Sequence, residues 1–504
     1  MLRNKNNRVI GVAFDNKRIV IIRPEVASGR HQTYGINGTY MDITEEQRIE
    51  MVKLKTEYIL IKAGDKDKRD LKDIYDERIL HADELFSRTK GRINLYRTGR
   101  DTMTALDSVD YFVQTHNLEC KKGTTRSHGK LIPEPDKIQY NEFLWLEDGS
   151  FGAMSGVDRS IMKNREEGDN CVYRGDGFTY DFCSFYGSVL ASVNFNFPIK
   201  SPEFIKMTEE EFRDRINGTK KNMFLQYGIY HVRISYESTV PNTEARTDKD
   251  FHLNSLNKYT HTEIMHAHGL NMKIELIQTT KGRQINCEDG RPVQYNAMVY
   301  TGAGMFAKGA DMFHDHINMW FNLRIEYENH PDERLRTIAD RCKLILSSTW
   351  GVVCQRNGHV VVRDLDEDYD LFENRIVHSK TIMSNNRYKL EIVNSENPYA
   401  TRYARLKPFL LAACRVKMSK LMGSHRNNIV RWHTDGFISN VKLDYNDEKK
   451  IGKIRFVKQN YVVVHSLKTI DYYDFGSVKK VAFQSDEEGI SEGSPSEDEE
   501  YGWE

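Results

Sequence analysis

The sequence predicts a multidomain α+β protein, and three observations carry that prediction. The chain has 504 residues and a mass of 58.8 kDa, which is more than one hydrophobic core usually organises. Hydrophobic residues make up 39% and charged residues 29%, a globular balance that excludes a mostly disordered chain. Segments with strand periodicity and segments with helix periodicity both occur along it, with no fixed-length repeat.

Several classes of protein are excluded by composition. Mean hydropathy is −0.64, and no run approaches the ~20 apolar residues that a membrane span needs, so we expect no membrane partner. The short apolar stretch near the start is not expected to be a secretory signal. Seven scattered cysteines without a CxxC pair predict an intracellular, reducing compartment and argue against disulfides or structural zinc.

The formal net charge of zero hides an asymmetry. Residues 485–504 contain nine acidic and no basic residues, so the rest of the chain carries a formal charge of +9. A mildly basic body suits a polyanionic partner, although an ordinary solvated surface explains it equally well. We expect residues 485–504 to be a disordered tail. A solubilising role is the simplest interpretation, and the alternatives are nucleic-acid mimicry, a basic partner, or phosphorylation at Ser491, Ser494 or Ser496.

The elements of the first half follow from local patterns. A strand pair is predicted at 8–14 and 18–22, followed by helices at 44–63 and 70–86. A strand at 178–182 leads into a helix at 186–193, and residues 200–300 mix helices and strands.

In the second half, residues 311–350 read as helical with a break at His330-Pro331, because the residue before proline disfavours helix. Strands are predicted at 359–363 and 387–393, and a helix at 403–422. A strand–turn–strand follows at 429–443, with Asp435-Gly436 at its turn.

Three short segments carry residues suited to chemistry. In the first, Asp181 ends an apolar strand, where a carboxylate can hold a metal ion. The following turn can offer backbone amides to phosphate, and Tyr186 adds a flat ring. Taken alone, a buried strand that happens to end in Asp is the more frequent case.

The second segment lies on a predicted helix. Lys343, Ser347 and Trp350 are spaced i, i+4 and i+7, so they share one face, and Arg324 lies on the preceding helical segment. A cation, a small polar group and an aromatic ring can grip a nucleoside triphosphate. The alternative is an amphipathic core helix with a lysine that reaches out to solvent.

The third segment, residues 430–438, is a predicted hairpin with Asp435 at its tip. If Asp435 lies beside Asp181, two carboxylates can bridge two divalent ions that activate a 3′-hydroxyl and stabilise leaving pyrophosphate. The alternative is an ordinary Asp-Gly hairpin turn.

Taken in order, the segments resemble the polymerase core of family B DNA polymerases, over about residues 140–465. The first motif, Asp-x-x-Ser-Leu-Tyr-Pro-Ser, is matched by Asp181, Ser184, Phe185, Tyr186, Gly187 and Ser188. The second, Lys-x-x-x-Asn-x-x-Tyr-Gly, is matched by Lys343, Ser347, Trp350 and Gly351. The third, Tyr-x-Asp-Thr-Asp, is matched by Arg431, Trp432, His433, Thr434 and Asp435. The protein-primed branch of small bacteriophages, some animal viruses and linear plasmids is the most similar, because the chain is compact and about a hundred residues (about 200–310) lie between the first motif and the helices that would form the fingers.

The resemblance implies a right-hand architecture of palm, fingers and thumb behind an N-terminal ribonuclease-H-like domain. The implied domains are a degenerate exonuclease-like domain (1–140), a first palm part with an inserted region (141–310), fingers (311–352), a second palm part (353–444), a thumb (445–484) and the acidic tail (485–504).

The resemblance also implies roles for residues. Asp181 and Asp435 would be catalytic and would hold Mg²⁺, or Mn²⁺ as the alternative ion, together with Phe182. The implied nucleotide-binding residues are Ser184, Phe185, Tyr186, Arg324, Lys343, Ser347 and Trp350. The implied primer–template residues are Thr434, Lys458 and Tyr461. The implied partners are a DNA primer–template, deoxynucleoside triphosphates and a terminal priming protein.

Some positions depart from the family pattern. His433 replaces the first Asp of the third motif, and Lys458 and Tyr461 are one residue too far apart for the family's Lys-x-Tyr. Asp15-Asn16-Lys17 replaces the Asp-x-Glu of the exonuclease, so we expect no proofreading.

These departures keep a second hypothesis open, a polymerase-like subunit that binds nucleic acid without chemistry. A reverse transcriptase is weaker, because Gly436 follows Asp435 where that class wants a second Asp. A zinc site at His261, His266, His268, His314 and His316 is weaker still.

Overall fold

The computed structural model describes residues 134–473 and the backbone of seven strands between residues 10 and 133. Within 134–473, the description leaves out 159, 161–171, 219–223, 242–244, 278–284, 287–291, 294, 366–373 and 384–385. The chain forms two compact units. Unit 1 comprises Met1–Ala153, Phe182–Lys420 and Lys449–Lys453, and unit 2 comprises Met154–Asp181, Leu421–Glu448 and Ile454–Glu504.

Helices of the described residues are numbered here in chain order. They are α1 (Tyr140–Asp148), α2 (Phe185–Leu190), α3 (Glu209–Asn217), α4 (His261–Gly269), α5 (Gly309–Glu328), α6 (Glu333–Val353) and α7 (Leu406–Gly423). In this part of the chain, no helix is long and apolar enough to cross a membrane.

Strands are numbered in the same way. Those before residue 200 are β1 (Ile10–Asp15), β2 (Arg18–Pro24), β3 (His31–Gly35), β4 (Tyr40–Ile43), β5 (Tyr58–Ile61), β6 (Thr124–Ser127), β7 (Lys130–Pro133), β8 (Ser155–Val157), β9 (Tyr173–Phe182) and β10 (Asn196–Pro198). Those from 200 to 310 are β11 (Glu203–Ile205), β12 (Gly228–Ser238), β13 (Lys258–Thr260), β14 (Met272–Leu276), β15 (Ile285–Asn286), β16 (Pro292–Val293), β17 (Ala297–Val299) and β18 (Phe306–Lys308). The remainder are β19 (Gly358–Asp364), β20 (Arg375–Ile382), β21 (Arg387–Asn394), β22 (Ile429–His433), β23 (Gly436–Ser439), β24 (Ile454–Val464) and β25 (Ile470–Tyr473).

The N-terminal strands pair antiparallel in the order β4-β3-β2-β1-β5. The predicted strand pair at 8–14 and 18–22 is confirmed as β1 and β2. The predicted helix at 44–63 is wrong at Tyr58–Ile61, which is strand β5, and its residues 44–57 lie outside the described residues. The run Tyr-Ile-Leu-Ile suits a pleated strand, because aromatic and β-branched side chains pack well there. The predicted helix at 70–86 also lies outside the described residues.

Unit 2 is built on a sheet with the strand order β25-β24-β9-β23-β22-β8. Register places Trp432, Phe437 and Tyr180 side by side across three strands, and the rings of Tyr180 and Phe437 stack with centroids 5.2 Å apart. All three side chains are buried. Val430, Ile438, Val462 and Val464 form a second apolar cluster. This packing fixes β9 and β23 as neighbours.

Unit 1 contains a mixed α/β layer in the predicted insertion. Strands β11, β17, β12 and β13 pair in that order, β14 pairs with β12, and a large core that includes Phe212, Tyr230 and Ile264 lies between this sheet and helices α3 and α4. The long helices α5 and α6 follow, in place of the predicted helical 311–350, and the break falls at His330-Pro331 as predicted. Strand order β19-β21-β20 adds a small sheet, of which β20 was not predicted.

Buried ion pairs hold distant segments of unit 1 together. Arg405, the residue before α7, contacts Glu142 on α1 at 2.6 Å, and Arg415 on α7 contacts Glu263 on α4 at 2.6 Å. All four side chains are almost fully buried. Helix α7 and the residue before it therefore anchor both α1 and α4 through charge pairs that would be costly to break.

Candidate active site

Unit 2 brings the two predicted catalytic carboxylates to adjacent strands. Asp181 is the residue before the end of β9, and its backbone is paired with Gly436, the first residue of β23. Asp435 immediately precedes Gly436 in the chain. A Cβ placed on Gly436 would lie 3.2 Å from Asp181 Oδ1, so glycine leaves room beside this carboxylate. Both Asp181 and Asp435 are partly exposed.

The turn that carries Asp435 is strained. Strands β22 and β23 pair at His433 and Gly436, so the two-residue turn is Thr434-Asp435, one residue earlier than the predicted Asp435-Gly436. Thr434 has φ +58°, a left-handed conformation that a β-branched residue rarely adopts. Its amide donates to Met154 O at 2.9 Å, which helps to hold this conformation. Backbone strain of this kind often accompanies function.

His433 lies on the same face of the sheet as Asp181, with Gly436 between them. Desolvation and the Arg431 guanidinium lower the pKa of His433 below its usual value. The imidazole is therefore neutral at pH 7 and adds no positive charge next to the carboxylates.

The segment after Asp181 belongs to unit 1 and is closely packed. The rings of Phe182 and Phe185 stack with centroids 4.4 Å apart, and both side chains are buried. Phe182 can therefore serve a metal ion only through its backbone carbonyl. Ser184, which precedes α2, has φ 51° and no side-chain capping bond.

Residues of the first and second sequence segments meet within unit 1. Tyr186 on α2 and Trp350 on α6 stack, with ring centroids 5.3 Å apart and an interplanar angle of 26°. The structure therefore brings these two predicted residues into contact, and each ring presents the other with a flat face.

The cationic residues of the helix pair are accessible. Lys343 and Ser347 are exposed on α6, and Arg324 is half-buried on α5. Trp320, by contrast, is fully buried and packs edge-on against His316 with centroids 6.2 Å apart. Trp320 therefore contributes to the helix core, whereas Arg324, Lys343 and Ser347 are placed where a ligand could reach them.

The predicted primer residues lie on β24. Lys458 is exposed, with its ammonium 4.1 Å from the centroid of the Tyr472 ring, and Tyr461 packs edge-on against Tyr473. Residues three apart on a strand point to opposite faces, so Lys458 and Tyr461 do not share one. The one extra residue between Lys458 and Tyr461, relative to the family's Lys-x-Tyr, therefore puts the two side chains on opposite faces of β24.

The donors present fit a magnesium site that a substrate completes. Across the described residues, no group of three or more His, Cys, Asp or Glu side chains is arranged to hold a metal ion. Mg²⁺ is commonly bound by one or two carboxylates together with water and substrate phosphates. Asp181 and Asp435 in unit 2 carry oxygen donors of that kind.

The sequence did not indicate Lys417, which packs against the segment that follows Asp181. Its ammonium on α7 lies 4.9 Å from the centroid of the Phe182 ring and donates to Gly452 O at 3.1 Å. No motif marks this lysine, and only its position among apolar residues of a buried helix sets it apart in the sequence.

Two of the histidines weighed as a zinc site are packed within unit 1. His266 Nε2 lies 2.7 Å from Ser419 Oγ. His261 is packed beside Tyr227 with centroids 4.2 Å apart, and its burial lowers its pKa to about 4. These contacts are those of histidines within the packing of unit 1.

Comparison with known proteins gives one family. The model of the family "DNA polymerase type B, organellar and viral" matches residues 164–422. This range is about half of the chain; it includes Asp181, Tyr186, Arg324 and Lys343 and ends before Asp435. No curated protein matches the chain.

Solved structures with a similar arrangement are complexes of phi29 DNA polymerase. The complex with primer–template DNA and incoming nucleotide substrates is 14% identical, with a TM-score of 0.46, covering 90% of this chain and 71% of that one. The complex with single-stranded DNA is 13% identical, with a TM-score of 0.43, covering 88% of this chain and 68% of that one. The family assignment rests on the family model.

Proposed function

Because the chain belongs to the organellar and viral type B DNA polymerase family, we propose that it is a template-directed DNA polymerase that extends a 3′ end with deoxynucleotides. The observation that carries this proposal is the pairing of Gly436 with Asp181, which puts Asp181 on β9 opposite the residue that follows Asp435, 254 positions away in the sequence.

The chemistry follows from these two side chains. Divalent ions, when bound there, would activate the primer 3′-hydroxyl and stabilise the pyrophosphate that leaves. Asp181 and Asp435 would neutralise and orient charge, and the Phe182 carbonyl of unit 1 is the further oxygen ligand that the family resemblance implies. Neutral His433 leaves the site with one negative charge fewer than the family pattern has.

Nucleotide binding falls to unit 1. Arg324 and Lys343 supply positive charge to the triphosphate, and Ser347 adds a polar contact. The stacked rings of Tyr186 and Trp350 offer flat surfaces to the base and sugar.

DNA binding is assigned to the basic residues after 445, chiefly Lys450, Lys453, Arg455 and Lys458. Lys449 contributes less, because it is paired with Glu328 at 2.7 Å. We further propose synthesis without proofreading, since Lys17 stands where a metal-binding Glu is needed, and initiation on a terminal protein.

Primer extension tests the proposal. The purified chain is given a primed template with Mg²⁺ or Mn²⁺, beside D181N and D435N. Each variant should lose about 10³-fold in rate, the size of effect expected when a preorganised charge-stabilising group is removed. The matched control is D444N, an exposed aspartate after β23, which should extend primer like the wild type.

The non-enzymatic alternative makes a different prediction. If wild type, D181N and D435N are equally inert with either ion while the protein still binds primed DNA, the chain is a nucleic-acid-binding scaffold. Addition of a nucleotide to a protein acceptor, in a reaction without a DNA primer, separately tests protein priming.

A further inference from the structure

Lys417 lies in an unusual environment for a lysine. It is half-buried on α7, and its ammonium stands 4.9 Å and 5.5 Å from the ring centroids of Phe182 and Phe185. It also donates a hydrogen bond to Gly452 O at 3.1 Å. The ammonium therefore joins the segment after Asp181 to the loop at 449–453.

This loop is bonded to the same segment on its other side. Gly452 N donates to Cys183 O at 2.7 Å, and Cys183 N donates to Lys453 O at 3.0 Å. Gly452 has φ +70°, and a Cβ there would stand 2.7 Å from Ser188 Cβ. Only glycine allows the loop to approach so closely, so loop, segment and Lys417 form one tightly packed clasp.

A charge at this position has a cost. Within the described residues, no carboxylate forms an ion pair with Lys417, and burial lowers the pKa of its ammonium. Half-burying an ammonium without a counter-charge is unfavourable. The packing alone needs only a long apolar stem, which methionine would also provide. The ammonium adds the Gly452 hydrogen bond and the attraction to two aromatic faces.

We propose that Lys417 is a positioning residue for nucleotide addition: it clasps the 449–453 loop onto residues 182–185 and so fixes the backbone that continues from Asp181. This proposal rests on the proposed function, in which that backbone carries the Phe182 ligand and the nucleotide-binding Ser184 and Phe185.

Four variants of the full chain test it. K417M keeps the stem and removes the charge, and K417R restores a cation. G452A keeps the lysine and disturbs the clasp from the loop, where the added Cβ would stand 2.7 Å from Ser188 Cβ and 3.8 Å from Lys417 Nζ. K420M, an exposed lysine one turn later on α7, is the control for loss of charge from this helix.

Three quantities are measured on each variant: kcat, the Kd for primed DNA, and hydrogen exchange of the Cys183 amide. In K417M and G452A, kcat for single-nucleotide addition should fall about 10- to 100-fold, the usual result of slight misplacement at a reacting centre. In K417M the Kd for primed DNA should stay unchanged, because Lys417 is half-buried on α7 and is not one of the residues assigned to DNA binding. Hydrogen exchange of the Cys183 amide should accelerate in both. K417R should recover most of the activity and protection, and K420M should match wild type.

The outcomes separate this inference from the proposed function. Wild-type kcat and wild-type Cys183 exchange in K417M would overturn the positioning role while the polymerase assignment stands. A fall in kcat with Cys183 exchange unchanged would also overturn it, since Lys417 would then act by another route. If the wild type fails to extend primers, the proposed function fails, and faster Cys183 exchange in K417M and G452A still decides whether the clasp exists.

Discussion

Helices α2 and α4, both in unit 1, begin in opposite ways. Helix α4 starts with a complete capping box, in which Thr260 accepts from the Glu263 amide and Glu263 accepts from the Thr260 amide. Helix α2 starts at Ser184, which is left-handed, makes no capping bond and has a buried hydroxyl without a hydrogen-bond partner in the described part of the chain.

The difference separates structural from functional demands. At α4 every local preference agrees with the fold, and Glu263 also forms an ion pair with the buried Arg415. At α2 the same preferences are violated at Ser184, three residues after Asp181. The second left-handed residue beside a predicted catalytic carboxylate is Thr434, before Asp435. Violations of local rules thus coincide with both carboxylates, as expected where geometry serves chemistry.

The largest effect is expected at the start of α4. E263Q removes the negative charge facing Arg415 and leaves a buried guanidinium unpaired, so stability should fall by about 3–5 kcal/mol. Chemical denaturation of the full chain measures this loss of stability, and activity per folded molecule should be unchanged. E210Q, an exposed acid in the first turn of α3, should stay within about 0.5 kcal/mol. Equal losses in the two variants would remove the contrast between the buried and the exposed acid.

The second-largest effect is a loss of stability at low pH, caused by His261 at the start of α4. His261, its first residue, has its pKa lowered to about 4 by burial. Below pH 6.5 the unfolded chain protonates His261 while the folded chain keeps it neutral. The free energy of unfolding is therefore unaffected by this group above pH 6.5 and decreases as the pH falls towards 4. The loss is about 3 kcal/mol for this one group. In H261Q the pH dependence of denaturation should be shallower by one proton, and an unchanged slope would show that His261 is not the group responsible.

The smallest effect, with the opposite sign, is expected at α2. S184G removes a side chain from a left-handed position, so stability should rise by up to about 1 kcal/mol while the rate of nucleotide addition falls. Thermal denaturation and primer extension measure the two changes. N271G, at an exposed left-handed asparagine, is the matched control and should alter neither. A more stable S184G with full activity would mean that the unusual start of α2 has no functional role.

Local signals predicted much of the architecture. Pro331 set the break between α5 and α6, and Asp435 was placed at a hairpin. The turn was assigned one residue late because Asp-Gly usually marks it, whereas here Gly436 is needed beside Asp181. Strand β20 was missed among charged residues, and residues 58–61 were taken as helix.

Long-range pairing was beyond the local patterns. The Gly436–Asp181 register, the Glu142–Arg405 pair and the contact of Lys417 with Gly452 join residues far apart in the chain. The residue types alone do not indicate which distant residue each of them contacts. The resemblance to a family suggested the first of these pairings, and nothing in the sequence suggested the other two.

The most direct test of a shared catalytic site is a double-mutant cycle on single-turnover nucleotide addition, using D181N, D435N and the double variant. Side chains that act as a unit give strongly non-additive losses, so the double variant should be about as slow as the slower single variant. If the two losses multiply in the double variant, the carboxylates act independently and the account of one joint site is contradicted.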